Sequence, residues 1–226
     1  MGRSGSVIEA LFDYAPWVFA AFGVPLAALL LARSQRIRRE RLGRLAARRN
    51  GRLAAGPWFM PPRALWELPG ALLQVAVRGD RPESGPSGVR SFAHTACADY
   101  PEIEFALRHA SGLHGEHDDW HEPDTRDPLF DRAFRVRCED PRFARTFLDR
   151  ELRQALLAFP ADLRVALQLG QSSVYRDGLY QHGHKEQRLE LSLRGFPEDV
   201  QGLEQLVQLA RQVHERLRGL QLRQAA

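Results

Sequence analysis

Between Tyr14 and Ala32 the chain reads YAPWVFAAFGVPLAALLLA, nineteen residues without a charge, and from Arg33 to Arg52 it then carries nine arginines against one acid, Glu40. At 1.5 Å per helical residue the uncharged run would reach about 28 Å, close to the hydrocarbon thickness of a bilayer. That length and uniformity predict a single transmembrane helix over 14–32, since a core helix is usually shorter and keeps a polar stripe. Pro16 would fall in the first turn, where its missing N–H has no helical partner, and Pro25 would kink the span. Tyr14 and Trp17 lie where amphipathic rings favour the headgroup region.

Cations on the two sides set an expected orientation. Only Arg3 precedes the run, opposed by Glu9 and Asp13. The imbalance predicts a single-pass protein of the cell (plasma) membrane, with residues 1–13 as an extracytoplasmic tail and the C-terminal domain in the cytoplasm. A cleaved signal peptide would need its basic residues before the apolar core and a small-x-small site, whereas Leu30 stands where a small residue should precede Ala32. Residues 33–52 are expected to form a basic juxtamembrane helix closed by a left-handed cap at Asn50-Gly51. Its Arg33, Arg36, Arg38, Arg39, Arg41, Arg44, Arg48 and Arg49 are the expected membrane-binding residues, each worth about 1 kcal/mol near anionic lipid.

The net charge of +4 and pI near 9.6 belong to this collar, and residues 53–226 are slightly acidic. The folded remainder therefore lacks the basic excess expected of a nucleic-acid binder. Cys97 and Cys138 are too few for a disulfide framework; each sits in a strand-like run and reads as a small buried hydrophobe.

Residues 53–70 hold four prolines and two glycines and read as a linker that can dock but cannot form a long regular element. The domain is expected over 71–226. Strand-like alternation marks Ala71 to Arg78, Val89 to Ala98, Ile103 to His109, Phe130 to Cys138, Leu163 to Leu169 and a hairpin around Asp177-Gly178. Asp140-Pro141 and Asp149 are helix starts, with Pro160 as a stop. From Pro197 to Leu220, Val200, Leu203, Leu206, Val207, Ala210, Val213, Leu217 and Leu220 keep three-and-four spacing. The fold class predicted is α+β: an N-terminal transmembrane helix, then a mainly antiparallel sheet covered by two short helices and a long C-terminal amphipathic helix.

The stretch 130–157 places Phe130, Asp131, Phe134, Val136 and Asp140 ahead of Ala144, Arg145, Leu148, Leu152, Leu156 and Leu157. This Phe-Asp-x-x-Phe-x-Val strand followed by an Ala-Arg, leucine-rich helix resembles uncharacterised bacterial single-pass membrane proteins of the domain-of-unknown-function type. The resemblance implies a span, a linker and a similar domain, and brings no activity with it. Asp131 and Arg145 lack a packing or capping explanation and are expected to form a structural ion pair.

Motifs for common chemistry are missing: the chain has no Gly-x-Ser-x-Gly elbow, phosphate-cradling loop, dinucleotide fingerprint or Cys-x-x-Cys pair. The expected function is a membrane-anchored, non-catalytic cytoplasmic module that binds a protein partner or itself, without cofactor. The alternative is a metal-dependent hydrolase built on the loop 114–122. There His114, His117 and His121 have metal-ligand spacing on a helix, and Glu122 could orient an imidazole. Gly112, Gly115 and Pro123 work against a rigid site, so the loop reads first as a solvated acidic segment and no metal is expected. Metal analysis of protein purified without a histidine tag should find no stoichiometric metal; one bound ion per chain, lost on alanine substitution of the three histidines, would establish the hydrolase alternative.

Overall fold

The computed structural model of the chain describes residues 19–54, 61–79, 89–110, 124–159, 163–176, 179–197 and 200–224. A π-helical turn, Phe19–Gly23, leads into α1 (Val24–Arg48). There follow β1 (Arg52–Ala54), β2 (Arg63–Leu68), β3 (Ala71–Gly79), β4 (Val89–Ala96) and β5 (Phe105–His109). Next come α2 (Pro128–Ala133), β6 (Phe134–Cys138), α3 (Pro141–Phe147) and α4 (Arg150–Leu157). The hairpin β7 (Arg164–Arg176) and β8 (Leu179–Arg194) and the long α5 (Val200–Gln224) complete the described chain. The strands make one sheet in the order β1-β2-β3-β4-β8-β7-β5-β6, with every pairing antiparallel.

Alternation places one side chain of each pair of neighbours on each face. Leu73 and Val75 of β3, Ala93 of β4, Phe105 and Leu107 of β5, Val165 and Leu167 of β7 and Leu189 and Leu191 of β8 share one face and are buried. Phe143, Phe147, Leu152 and Leu156 of the short helices and the Leu203-to-Leu217 stripe of α5 complete the same core. Phe105 meets Phe147 edge-on with ring centroids 5.1 Å apart.

The helix starts are chemical. Asp127, Asp140 and Asp149 each stand just before a helix and accept from the backbone N–H of Phe130, Arg142 and Leu152. Asp149 also pairs with Arg216 at 2.5 Å, tying the start of α4 to α5. Residues 130–133, expected in a strand, are helical because Asp127-Pro128 is a cap followed by proline, as Asp140-Pro141 is. Asp131 does not form the expected ion pair with Arg145; its carboxylate accepts from the Thr125 hydroxyl at 2.7 Å. The stretch expected to be a linker supplies β2, whose Ala64 and Trp66 are buried.

The expected transmembrane helix is corrected here. No helix among the described residues is long and apolar enough to cross a membrane. The uncharged part of the described helical segment, residues 19–32, reaches about 21 Å at 1.5 Å per residue, against roughly 30 Å of hydrocarbon; residues 14–18 lie outside the described residues. Beyond it α1 carries the arginine run, and its last turns belong to the domain, with Leu42, Leu45 and Ala46 buried. The single-pass plasma-membrane placement, with its outside N-terminus and cytoplasmic domain, rested on that span and is overturned with it.

The end of α1 is set by close packing. Asn50 takes the left-handed conformation at φ 54°, and the N–H of Gly51 bonds to the carbonyl of Ala46 at 2.8 Å. A Cβ on Gly51 would run into the Trp66 indole and stand 2.9 Å from the Leu65 carbonyl oxygen. Gly51→Ala should therefore lower stability by about 1–3 kcal/mol, as overpacking does, read as a fall in Tm; an unchanged Tm would show that α1 is not seated on β2 in this way.

Candidate functional site

The described α1 has two halves with different surroundings. Phe22, Val24, Leu26, Leu29, Leu30 and Leu31 in the first half are exposed large hydrophobics, Phe22 at 74% and Leu29 at 63%. They surround the helix instead of forming one stripe, so no single side of the domain could cover them all. A groove of about 640 Å³ runs along this part between Gly23, Ala27, Ala28, Leu31, Gln35 and Arg39.

The arginines expected at lipid separate into two groups. Arg41 donates to the carbonyl of Pro197 at 2.9 Å and lies 5.2 Å from the centroid of the Phe196 ring. Arg48 and Arg49 both reach Glu204 of α5, at 3.4 and 3.5 Å. These three seat α1 against α5 and the segment before it. Arg36 pairs with Glu40 one turn on at 3.0 Å, while Arg33 and Arg44 are exposed and Arg38 and Arg39 half-buried. Ion pairs this exposed contribute at most about 1 kcal/mol each, so burial of Leu42 and Leu45 is the larger part of the attachment.

Sequence reasoning missed a buried polar pair between Tyr100 and His214. The Tyr100 hydroxyl and His214 Nδ1 are 2.6 Å apart, and His214 Nε2 is 3.1 Å from the carbonyl oxygen of Pro69. A carbonyl only accepts, so Nε2 carries the proton, and Nδ1 of the neutral ring accepts from Tyr100. Burial pushes the phenol well above its ordinary range. Burial also holds His214 below the ordinary imidazole value, reinforced by Arg218 and opposed by the Pro69 bond, Glu215 and Asp99. The ring is 0% exposed. With no opening to solvent, the pair joins α5 to the β2–β3 turn and the segment after β4; it is structural, and a signal could have been found only in the histidine interrupting the apolar run of α5.

Both cysteines are free and buried, as read from the sequence. Desolvation pushes the Cys138 thiol up to about 11, which keeps it protonated and unreactive at neutral pH. His94 lies on β4. The histidine loop with His114, His117 and His121 lies outside the described residues, and no group of three or more metal-ligating side chains occurs among the described ones.

The depressed His214 fixes the sign of one pH effect. The unfolded chain takes up a proton near pH 6.5, where the folded chain does not, so this contribution is complete above pH 6.5 and is lost as pH falls below it. Thermal denaturation between pH 7.5 and 5.5 should show Tm falling, with a shallower fall in His214→Gln. At pH 7.5 Tyr100→Phe should cost about 1–3 kcal/mol by stranding a buried acceptor.

No family model matches the chain, and no curated protein matches it. Among solved structures it is similar to the mycobacterial trehalose monomycolate transport factor A, TtfA, with 12% identity over 79% of this chain and 93% of that chain, at a TM-score of 0.49. A likeness of that size transfers no role.

Proposed function

We propose that this chain is a non-catalytic assembly module whose docking element is the apolar first half of α1, with a second copy of the same helix as its occupant. The observation that carries this reading is the set of large apolar side chains standing clear of the domain along residues 22–31. An exposed apolar surface of this kind, on all sides of a helix, marks an interaction site in a folded protein. A second copy fits it because Gly23, Ala27 and Ala28 let another helix approach closely. Arg36, Arg39 and Glu40 at the end of the groove supply both signs of charge, as a self-complementary contact about a two-fold axis requires.

Among the described residues the side chains that could react are closed off from solvent, which supports a binding role. The cysteines are buried, and the Tyr100–His214 pair is enclosed.

Size-exclusion chromatography with light scattering, on the full chain, should give a concentration-dependent dimer or higher assembly. Leu26→Glu with Leu30→Glu, both at exposed positions, should return it to the monomer without changing its circular dichroism. A wild-type chain that stays monomeric at the highest attainable concentration would overturn the reading, as would flotation with phospholipid vesicles in place of self-association.

A further inference from the structure

Where α1 leaves the domain, a crevice of about 420 Å³ opens between the helix and the body of the fold. Leu30, Arg33, Ser34 and Ile37 line it from α1 at i, i+3, i+4 and i+7, one stripe of the helix, with Arg38 beside them. Val89 at the start of β4 and Phe196, just before α5, line it from the other side. The assembly groove takes a different stripe, through Gly23, Ala27, Ala28, Leu31 and Gln35, and shares no lining residue with the crevice.

The wall formed by Val89 and Phe196 is held in place by backbone contacts. The N–H of Gly195 bonds to the carbonyl of Val89 at 2.6 Å, and the Ser91 hydroxyl donates to the Gly195 carbonyl at 2.9 Å. Arg41 grips the same segment from α1, through the Pro197 carbonyl and the Phe196 ring. The apolar lining is Leu30, Ile37, Val89 and Phe196, and Leu30 and Ile37 are left 56% and 39% exposed. Charge around the crevice is one-sided. Among the described residues Arg33 and Arg38 have no ion-pair partner, and no carboxylate lines the crevice. Arg41 has only a carbonyl and a ring, and Glu40, the one acid of this part of α1, is taken by Arg36 at 3.0 Å.

We propose that this crevice binds a free single-chain anionic amphiphile of the fatty-acid class, its alkyl chain against Leu30, Ile37, Val89 and Phe196 and its carboxylate met by Arg33 and Arg38. A purely apolar ligand would leave the two arginines unanswered, and an inorganic anion would leave the apolar walls wet. A molecule with both parts satisfies both, since each methylene removed from water adds to affinity and the planar fork of arginine matches the two oxygens of a carboxylate. The volume lies in the range of small-molecule sites. From Leu30 to Arg38 the helix advances about 12 Å at 1.5 Å per residue, room for a medium-length chain laid along it. A bilayer surface would meet the outer side of α1, whereas the crevice is closed behind by Val89 and Phe196 and so fits one chain at a time.

The test titrates the full chain at neutral pH with octanoate, decanoate and neutral decanol, each below its aggregation concentration, in a calorimeter. Saturable binding of decanoate at one site per chain is expected, about tenfold tighter than octanoate for its two added methylenes and tighter than decanol. Arg33→Gln combined with Arg38→Gln, at an exposed and a half-buried position, should weaken decanoate about 10- to 100-fold and leave decanol unchanged, as loss of charge-assisted hydrogen bonds does. Ile37→Ser should weaken both. The comparison of the three ligands is made on the wild-type chain and holds whether or not the variants fold; it also reads ligand affinity alone, which a failure of self-association leaves untouched. No saturable binding of decanoate, equal affinity for octanoate and decanoate, or full-strength binding by the folded double variant would overturn the proposal. So would flotation with vesicles of anionic phospholipid by a chain that takes up no decanoate.

Discussion

Burial of one face of a single antiparallel sheet against helices is the constraint on which the remaining structure depends. The short helices α3 and α4 and the long α5 put their apolar side chains on that face, and α1 joins them through Leu42, Leu45 and Ala46. Because the strands pair in unbroken register through the core stretch of the sheet, with the shift in the β7–β8 pair confined to Gln171–Ser173, a residue one position away from a core residue there is committed to the opposite face. The arginine rows on that face follow from the same register that buries Phe105, Leu107, Val165 and Leu167.

The second consequence concerns α1. Its C-terminal half is held by apolar burial, by Arg41 on Pro197 and Phe196, and by Arg48 and Arg49 on Glu204. Its first half continues the same helix beyond the domain with its apolar residues uncovered. A helix seated at one end presents its other end in a defined direction, which suits a docking element better than a loosely attached tail would. The left-handed turn at Asn50 and the close approach of Gly51 to Trp66 fix where that seat begins.

Much of the domain was legible because its signals are local. The alternation in β3, β5, β7 and β8, the Asp-Pro and Asp caps, the Asn50-Gly51 stop and the three-and-four spacing of α5 each involve residues within a few positions of one another. The misreadings have local causes too. Asp127-Pro128 was passed over because the alternation downstream was persuasive, and the proline-rich count over 53–70 hid the six residues of β2. The seating of the collar's last turns on the domain had only a weak local signal: its apolar positions, Leu42, Leu45 and Ala46, are few, and charge dominates a segment that is in part core.

From the amino-acid order alone came the α+β class, the capped short helices, the pairing of β7 with β8, the buried state of Cys97 and Cys138 and the amphipathic final helix, since each depends on periodicity or on backbone chemistry between near neighbours. Only the tertiary structure decided that the arginine collar is partly an internal strut and that His214 meets Tyr100 across 114 positions. It alone brought Arg108, Arg135, Arg137 and Arg164 from three strands onto one face. Those facts depend on which strand lies beside which, and here the order β4-β8-β7-β5 sets the last hairpin between earlier strands; a pairing chosen by global burial leaves no mark on any short stretch of sequence.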